Sequence, residues 1–255
     1  MKHYYFVPGK AMRLSRFMKD GRTLVVATDH GLFGMGDGLE KIVEIIEKVV
    51  KGGADAVMVN LGVAKRIVSK IGGEASLILS IPFDPKYVEL AAKIGADGVK
   101  TTYFGEVPVP EEKINQFAKI AEECEVWQMP YIAEVVPVDE ERKTVYKFEH
   151  VMKAARFGSE VGGDIVKTAY VGPVESYRKI VEACLSPIVV MGGEKMEKPT
   201  DILRVVKDAV EAGAAGGAIG RNIWQFENPG KMAEALSRII HEEISLEKAE
   251  RIVKA

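Results

Sequence analysis

The sequence has little that would suit it to an oxidising compartment or a membrane. Its 255 residues include only two cysteines, Cys124 and Cys184, and both lie in helix-like stretches. Two such thiols cannot build a disulfide framework or a zinc site, so we expect both to be chemically inert. Nowhere do about 18 apolar residues run together, and residues 1–5 lack the apolar core of a signal peptide. We therefore expect a cytoplasmic protein with no membrane partner.

An excess of charge of either sign is also missing. The chain carries 35 Lys and Arg against 37 Asp and Glu, with a formal net charge of -2 and a pI near 6.2. Proteins that bind nucleic acid usually carry a basic surface, so no nucleic-acid partner is expected. Histidine is scarce, and no second histidine lies at metal-ligand spacing from His30. The sequence therefore predicts no metal site and no cofactor.

What the chain does contain is a regular alternation of apolar runs and amphipathic stretches. No Pro/Ser-rich linker divides it, so residues 1–255 are expected to form a single domain. Eight runs rich in Val and Ile read as buried parallel strands, each followed by a helical pattern. The runs are 24–28, 56–60, 77–81, 98–103, 131–136, 165–170, 188–191 and 217–220. Eight βα units predict an α/β fold of the TIM (β/α)8 barrel type.

A repeated turn supports closure of these strands into a barrel. Each even-numbered strand follows a glycine-led turn in which the glycine ends a helix in the left-handed conformation. The four turns are Gly53-Ala54-Asp55, Gly95-Ala96-Asp97, Gly162-Gly163-Asp164 and Gly213-Ala214-Ala215. Four quarter units fit a closed barrel better than an open doubly wound sheet. Residues 10–19 and 245–254 are expected to add an N-terminal and a C-terminal helix, the latter capped by Ser245.

One lysine interrupts the sixth apolar run. Lys167 lies in the middle of a predicted buried strand, where an ammonium group is disfavoured. A neutral amine at such a position can attack a carbonyl group and form a Schiff base. The alternative is a lysine that reaches solvent from the strand end or pairs with Asp164, and the run alone does not decide between them.

The last two strands are followed by glycine-rich turns. In TIM barrels the chemistry lies at the carboxyl ends of the strands. Strand seven leads into Gly192 and Gly193, and strand eight into Gly220 and Arg221. Exposed backbone amides and a guanidinium group suit a phosphate, so a phosphorylated small molecule is the predicted partner. The alternative is that the glycines serve tight turns and that the arginine forms a surface ion pair.

A carboxylate follows the first predicted strand. Period-2 alternation places Val25, Ala27 and Asp29 on one face, and a carboxylate at an inner strand end can accept a proton or orient a hydroxyl group. The alternative is a side chain that caps the following loop. The same alternation turns His30 away, where a hydrogen bond within the loop is expected.

Taken together, these segments resemble the archaeal-type class I fructose-bisphosphate aldolases. The similarity runs from about Gly21 to Gln225 and rests on Asp29-His30-Gly31, Asp164-Ile165-Val166-Lys167-Thr168, Met191-Gly192-Gly193 and Gly220-Arg221-Asn222-Ile223-Trp224-Gln225. The wider deoxyribose-phosphate aldolase-like group also contains amino-dideoxy-heptulosonate synthases and the phosphonooxypentanedione thiolase. The resemblance implies a TIM barrel, a phosphorylated keto sugar as substrate and a homo-oligomer such as a decamer. It also implies that Lys167 forms the Schiff base, Asp29 handles a substrate hydroxyl, and Gly192, Gly193, Gly220 and Arg221 hold the phosphate.

Strand five departs from the family pattern. The relatives resemble one another in a Tyr-Pro-Arg-Gly run whose tyrosine moves protons, whereas this chain has Val136 and Pro137. Glu134 shares a strand face with Val136 and is the candidate general acid/base in place of the tyrosine. The alternative is that Glu134 only pairs with a lysine, such as Lys100 on strand four.

The sequence thus predicts a metal-independent class I aldolase that cleaves or forms a carbon-carbon bond in a phosphorylated keto sugar. Two alternatives stay open, since one fold hosts many functions. One is a thiolase or a transaldolase-type synthase on the same scaffold. The other is a phosphosugar-binding barrel without turnover, which the missing tyrosine suggests.

Overall fold

Eight parallel strands form a closed barrel in the computed structural model, which describes residues 8–34 and 38–255. Each strand pairs with the next, and the eighth pairs with the first. The strands are β1 Thr23–Ala27, β2 Ala56–Val59, β3 Ser76–Ser80, β4 Gly98–Gly105, β5 Tyr131–Pro137, β6 Ile165–Thr168, β7 Ile188–Met191 and β8 Gly216–Ile219. The predicted TIM barrel is therefore confirmed, with strand ends that differ from the predicted ones by at most two residues.

Helices surround the barrel on its outside and at both of its ends. They are α1 Pro8–Leu14, α2 Ile42–Lys51, α3 Leu61–Ile71, α4 Lys86–Lys93, α5 Glu111–Val126, α6 Phe148–Glu160, α7 Val174–Ala183, α8 Pro199–Glu211, α9 Arg221–Trp224, α10 Pro229–Glu242 and α11 Leu246–Lys254, with a 3-10 helix at Asp29–Phe33. Helix α2 is typical, because it buries Ile45, Ile46, Val49 and Val50 at helical spacing against the sheet. Among the described helices, none has both the length and the apolar character needed to span a membrane.

The apolar core has two layers, one between strands and helices and one inside the barrel. The inner layer takes alternate strand residues, such as Ala27 of β1, Ile132 of β5 and Ile165 of β6. Two residues farther along these strands, the same inward faces carry Glu134 and Lys167. Apolar side chains therefore fill the amino-terminal half of the barrel, and charged side chains lie near its carboxyl-terminal opening.

The four repeated turns adopt the conformation that the sequence predicts. Gly53, Gly95, Gly162 and Gly213 all have positive φ, at 90°, 81°, 101° and 101°. In three of the turns the aspartate accepts a hydrogen bond from the preceding odd strand. The bonds join Leu24 N to Asp55 Oδ2 at 2.7 Å, Leu77 N to Asp97 Oδ2 at 3.3 Å and Tyr131 N to Asp164 Oδ2 at 2.8 Å. The fourth turn has Ala215 at this position.

The segment of residues 8–22, which we name the floor segment, closes the amino-terminal end of the barrel. Its helix α1 ends at Leu14, earlier than the predicted 10–19, because the chain then turns to bury Phe17 with Leu14 in the inner core. Three cations of the segment meet the three turn aspartates. Lys10 Nζ lies 2.9 Å from Asp164 Oδ2, Arg16 Nη1 lies 2.6 Å from Asp97 Oδ1, and Lys19 Nζ lies 2.9 Å from Asp55 Oδ1.

The chain ends in helix α11, next to α8 and α10. The side chain of Ser245 accepts a hydrogen bond from Lys248 N at 3.4 Å and so caps the helix at the predicted residue.

Candidate active site

Four charged side chains meet inside the barrel near its carboxyl-terminal opening. Lys167 Nζ lies 2.7 Å from Glu134 Oε1, and Lys100 Nζ lies 2.9 Å from Glu134 Oε2 and 2.6 Å from Asp29 Oδ2. All four are buried, with exposed fractions of 5% for Lys167, 4% for Glu134, 1% for Lys100 and 4% for Asp29. Two ammonium groups and two carboxylates alternate, so this charged cluster has no net charge when all four groups are ionised.

Thr102 adds a further hydrogen bond to the carboxylate of Glu134. Lys100 donates to Thr102 Oγ1, and Thr102 Oγ1 donates in turn to Glu134 Oε2 over 2.7 Å. The carboxylate of Glu134 therefore receives donors at both oxygens. Pairing of Glu134 with Lys100, left open by the sequence, is present together with the pairing to Lys167. The pairing of Lys167 with Asp164 is absent, because Asp164 binds Lys10 at the opposite end of the barrel.

Electrostatics fixes the ionisation of three members of the cluster. Burial alone would raise the pKa of Glu134 and of Asp29, but the charge of Lys100, followed by that of Lys167, outweighs it and holds the pKa of both carboxyls well below their usual range. Burial opposes the charge of Lys100 as well, yet Asp29 and Glu134 raise the pKa of its ammonium group above the ordinary value. At neutral pH Lys100 is therefore a cation between two anions.

A cavity of about 660 Å³ opens above this cluster. Lys167 and Glu134 line it, as do Gly192, Gly193, Gly220 and Arg221 from the turns after β7 and β8. Its volume lies within the range of about 300–1,000 Å³ that small-molecule sites usually have. Asp29 and Lys100 do not line the cavity and lie behind Glu134. The structure thus brings all the sequence-predicted site residues together, with Asp29 one layer deeper than the others.

A side chain added at Gly193 or Gly220 would crowd its neighbours. Gly193 has φ +67°, and a Cβ atom there would lie 2.8 Å from the hydroxyl oxygen of Tyr146. A Cβ atom at Gly220 would lie 2.8 Å from the carbonyl oxygen of Ala27. Beside these turns, the Nε of Arg221 is buried and has no hydrogen-bond partner within residues 8–34 and 38–255. A buried donor without a partner is costly unless a ligand satisfies it, which suits an anion at this position.

Asn222 holds the two turns together, a role that the sequence did not reveal. Its Nδ2 donates to Gly192 O at 2.9 Å and to Glu194 O at 2.8 Å, and its Oδ1 accepts from Met196 N at 2.8 Å. Its place directly after Arg221 was the available signal. Three hydrogen bonds from one buried amide fix the loop after β7 against the start of α9.

His30 lines the cavity, and the prediction that it points away is wrong. Strand β1 ends at Ala27 and a 3-10 helix begins at Asp29, so period-2 alternation does not extend to His30. Its ring lies edge-on to Trp224 with centroids 6.1 Å apart, and Trp224 Nε1 donates to Ala27 O at 3.0 Å. Burial is the main cause that lowers the pKa of His30, which leaves the imidazole neutral at neutral pH.

Tyr146 is a second cavity residue that sequence reasoning missed. It lies between β5 and α6, after a short hairpin in which Val138 and Thr144 form an antiparallel bridge. The strand pattern had ended well before this position, so no periodicity pointed to it. By contrast Val136, where the family resemblance implies a tyrosine, is fully buried in the apolar core.

Among the described residues, no three His, Cys, Asp or Glu side chains come together as a candidate metal site. The predicted absence of a metal stays a prediction.

Comparison with known proteins gives the family. Residues 23–226 match the DeoC/LacD family aldolase. An uncharacterised aldolase of Saccharolobus solfataricus is 33% identical over 270 residues, covering 96% of this chain and 99% of that protein. The 2-amino-3,7-dideoxy-D-threo-hept-6-ulosonate synthase 1 of Archaeoglobus fulgidus is 35% identical over 255 residues, covering 95% of each chain.

Among solved structures, an archaeal fructose-1,6-bisphosphate aldolase aligns with a TM-score of 0.78 and 26% identity, over 91% of this chain and 99% of that one. In that protein the catalytic lysine is covalently bound to the carbinolamine intermediate of the substrate. The family match and the alignments with these relatives cover most of the chain, including the segments that carry the sequence resemblance. This chain therefore belongs to the DeoC/LacD family of aldolases.

Proposed function

We propose that this protein is a Schiff-base aldolase that cleaves or forms a carbon-carbon bond in a phosphorylated keto sugar, without a metal. The observation that carries the proposal is the buried amine of Lys167, 2.7 Å from the carboxylate of Glu134 in a cavity of about 660 Å³. An amine beside a proton acceptor in a water-poor site is the arrangement that imine chemistry requires.

Glu134 handles the protons at the lysine nitrogen in this mechanism. Its carboxylate accepts a proton from the ammonium group of Lys167, and the neutral amine then attacks the substrate carbonyl carbon. The resulting carbinolamine takes that proton back on its hydroxyl group, which leaves as water, and a protonated imine forms. The imine nitrogen accepts the electron pair of the carbon-carbon bond when that bond breaks, so an enamine remains on Lys167.

The two glycine turns would hold the substrate phosphate. The backbone amides at Gly192, Gly193 and Gly220 can donate to its oxygens, and Arg221 can add a charge-assisted hydrogen bond from its unpaired Nε. The family resemblance implies that Asp29 accepts a hydrogen bond from a substrate hydroxyl group, but Asp29 lies one layer behind the cavity, so we assign it the indirect role of holding Lys100 beside Glu134. Its ion pair with Lys100 fixes the orientation of its carboxylate.

A transaldolase-type synthase is the second candidate, and the 35% identity to a heptulosonate synthase favours it. The first half of such a reaction is the same. A second carbonyl compound would then capture the enamine before a proton does. The two functions therefore differ in the fate of one intermediate, and cleavage in the absence of an acceptor separates them.

Borohydride trapping tests the proposal. The protein is incubated with dihydroxyacetone phosphate or with ketose phosphates, reduced with borohydride, and mapped by peptide mass spectrometry. We expect one adduct, on the peptide that holds Lys167, and none in a folded Lys167→Met variant. An adduct on the peptide with Lys100 would show that Lys100, and not Lys167, forms the Schiff base. No adduct with any of these substrates would favour a binding protein without turnover.

We further propose that residues 1–255 form one domain and that the protein is a cytoplasmic homo-oligomer, in line with the family resemblance. Light scattering coupled to size-exclusion chromatography measures the assembly directly. A mass near 27.9 kDa, that of a single chain, would contradict the oligomer.

A further inference from the structure

The carbon-carbon bond step of the proposed reaction needs a base, and neither carboxylate of the charged cluster is free to act as one. When the carbon-carbon bond breaks, a base must take a proton from the substrate hydroxyl and return it to the enamine carbon. Both oxygens of Glu134 already accept hydrogen bonds, and Asp29 is held by Lys100 behind the cavity. Glu134 serves the nitrogen of Lys167 in the proposed mechanism, and its second oxygen is engaged by Lys100 and Thr102. At Val136 a buried valine stands where the family resemblance implies a tyrosine.

His30 lines the cavity and is available to act as this base. It lines the same cavity as Lys167 and Glu134, and its imidazole lies edge-on to the indole ring of Trp224. In the described parts of the chain, neither ring nitrogen has a hydrogen-bond partner. Tyr146, the other titratable ring among the described cavity residues, is hydrogen-bonded to Thr144, so His30 is the ring that is available to a substrate.

Burial, more than the surrounding charges, keeps His30 neutral. Asp29, Glu134, Lys167 and Arg221 act on its ring from four different strand ends, and their effects oppose one another in sign. Burial therefore decides the direction and lowers the pKa of His30, so the unprotonated ring predominates at neutral pH. A neutral imidazole can accept a proton at one nitrogen and later release it, which is the property that a shuttle needs.

We propose that His30 is the proton shuttle of the carbon-carbon bond step, an inference that rests on the proposed Schiff-base function. As the bond breaks, the imidazole takes the proton of the substrate hydroxyl, and the oxygen becomes the carbonyl oxygen of the departing aldehyde. The imidazolium then gives the same proton to the enamine carbon, which restores the protonated imine for hydrolysis by water. In the direction of synthesis His30 removes that proton from the carbon next to the imine.

Hydrogen exchange isolates this step without the aldehyde partner. Dihydroxyacetone phosphate is incubated with the protein in D₂O, and NMR follows the loss of hydrogen from the carbon next to the imine. We expect His30→Gln to form the borohydride adduct as the wild type does, but to exchange about 10²- to 10⁴-fold more slowly. His150→Gln is the matched control, because His150 lies on α6 and does not line the cavity. It should trap and exchange normally.

Two further variants distinguish proton transfer by His30 from a structural role of its side chain. Glu134→Gln should slow the trapping itself, because Glu134 serves the lysine nitrogen. His30→Ala with imidazole added to the buffer should regain part of the exchange, which a purely structural role would not allow. Should His30→Gln prove unfolded by circular dichroism, His30→Phe keeps a ring against Trp224 and is measured instead.

Normal exchange in a folded His30 variant would overturn the shuttle assignment. Loss of trapping together with exchange would also overturn it, since His30 would then only shape the site. Absence of trapping in the wild type would refute the Schiff-base function itself, which is a different outcome.

Discussion

Removal of Lys100 is the sharpest test of the charged cluster. Its ammonium group lies 2.6 Å from Asp29 and 2.9 Å from Glu134, and its exposed fraction is 1%. Lys100→Met keeps the length of the side chain and deletes the charge. Lys167 then faces two carboxylates alone, and the buried cluster carries one uncompensated negative charge.

The expected cost follows from this imbalance. Breaking a buried ion pair by removing one partner destabilises a protein by about 3–5 kcal/mol. With an unfolding entropy of roughly 2.1 cal/mol/K per residue over 255 residues, this lowers the melting temperature by about 6–9 °C. Asp29→Asn in the same chain removes the excess charge, so the double variant should recover at least half of the loss.

Calorimetry at pH 7 measures both variants. Lys41→Met serves as the control, because that side chain is 75% exposed and its loss should shift the melting temperature by only about 1 °C. A single variant that melts within about 2 °C of the wild type would refute the reasoning. A double variant no more stable than the single one would do so as well.

The pH dependence of the same variants gives an independent check. In the wild type the folded-state pKa of Asp29 and of Glu134 is lowered, so their stabilisation is present above the unfolded values of about 4 and is lost as the pH falls below them. In Lys100→Met two carboxylates share one cation, so one of them should bind a proton more readily in the folded state. That variant should therefore lose less stability on acidification, and its deficit should shrink between pH 7 and about pH 4.

Three further predictions concern the cavity. Arg221→Ala should weaken the binding of dihydroxyacetone phosphate by about 10- to 100-fold, since a hydrogen bond to a charged group contributes roughly 1.5–3 kcal/mol, and should leave dihydroxyacetone unaffected in the same titration. Equal losses would contradict a phosphate site. Gly193→Ala should also weaken phosphate binding, because its Cβ atom would lie 2.8 Å from the Tyr146 oxygen. Tyr146→Phe in the same chain should restore part of the affinity, as measured by calorimetric titration. Val136→Tyr should lower the free energy of unfolding by about 1–3 kcal/mol, because Val136 is fully buried. It should add no fructose-bisphosphate cleavage, and a gain in that activity would count against His30 as the proton shuttle.

The barrel and its lysine could be predicted because their signals are local. A parallel strand covered on both faces needs a run of β-branched residues, and a lysine inside such a run stands out. The glycines of the repeated turns are equally local, since positive φ at Gly53 and Gly95 favours one residue type. Glu134 could be placed on the cavity side by alternation within β5.

The remaining site residues depend on contacts that no short segment encodes. His30 entered the cavity because β1 ends before Asp29, and a strand end is set by pairing with neighbours rather than by propensity. Tyr146 comes from a loop whose hairpin forms only on the finished barrel. The layer that hides Asp29 depends on the side chain of Lys100, which comes from a strand three units farther along the chain.

The ion pairs of the floor segment have a consequence for the order of folding. Lys10 and Asp164 are 154 residues apart in the chain, and Arg16 and Asp97 are 81 apart. Lys10 is almost completely buried and pairs with both Glu125 and Asp164, so its charge is fully compensated only after both partners are in place. Although the floor segment comes first in the described chain, we therefore expect it to dock completely only after the turn before the sixth strand has formed. Until then Leu14 and Phe17 stay exposed, and a nascent chain released before residue 164 should retain a protease-sensitive amino terminus.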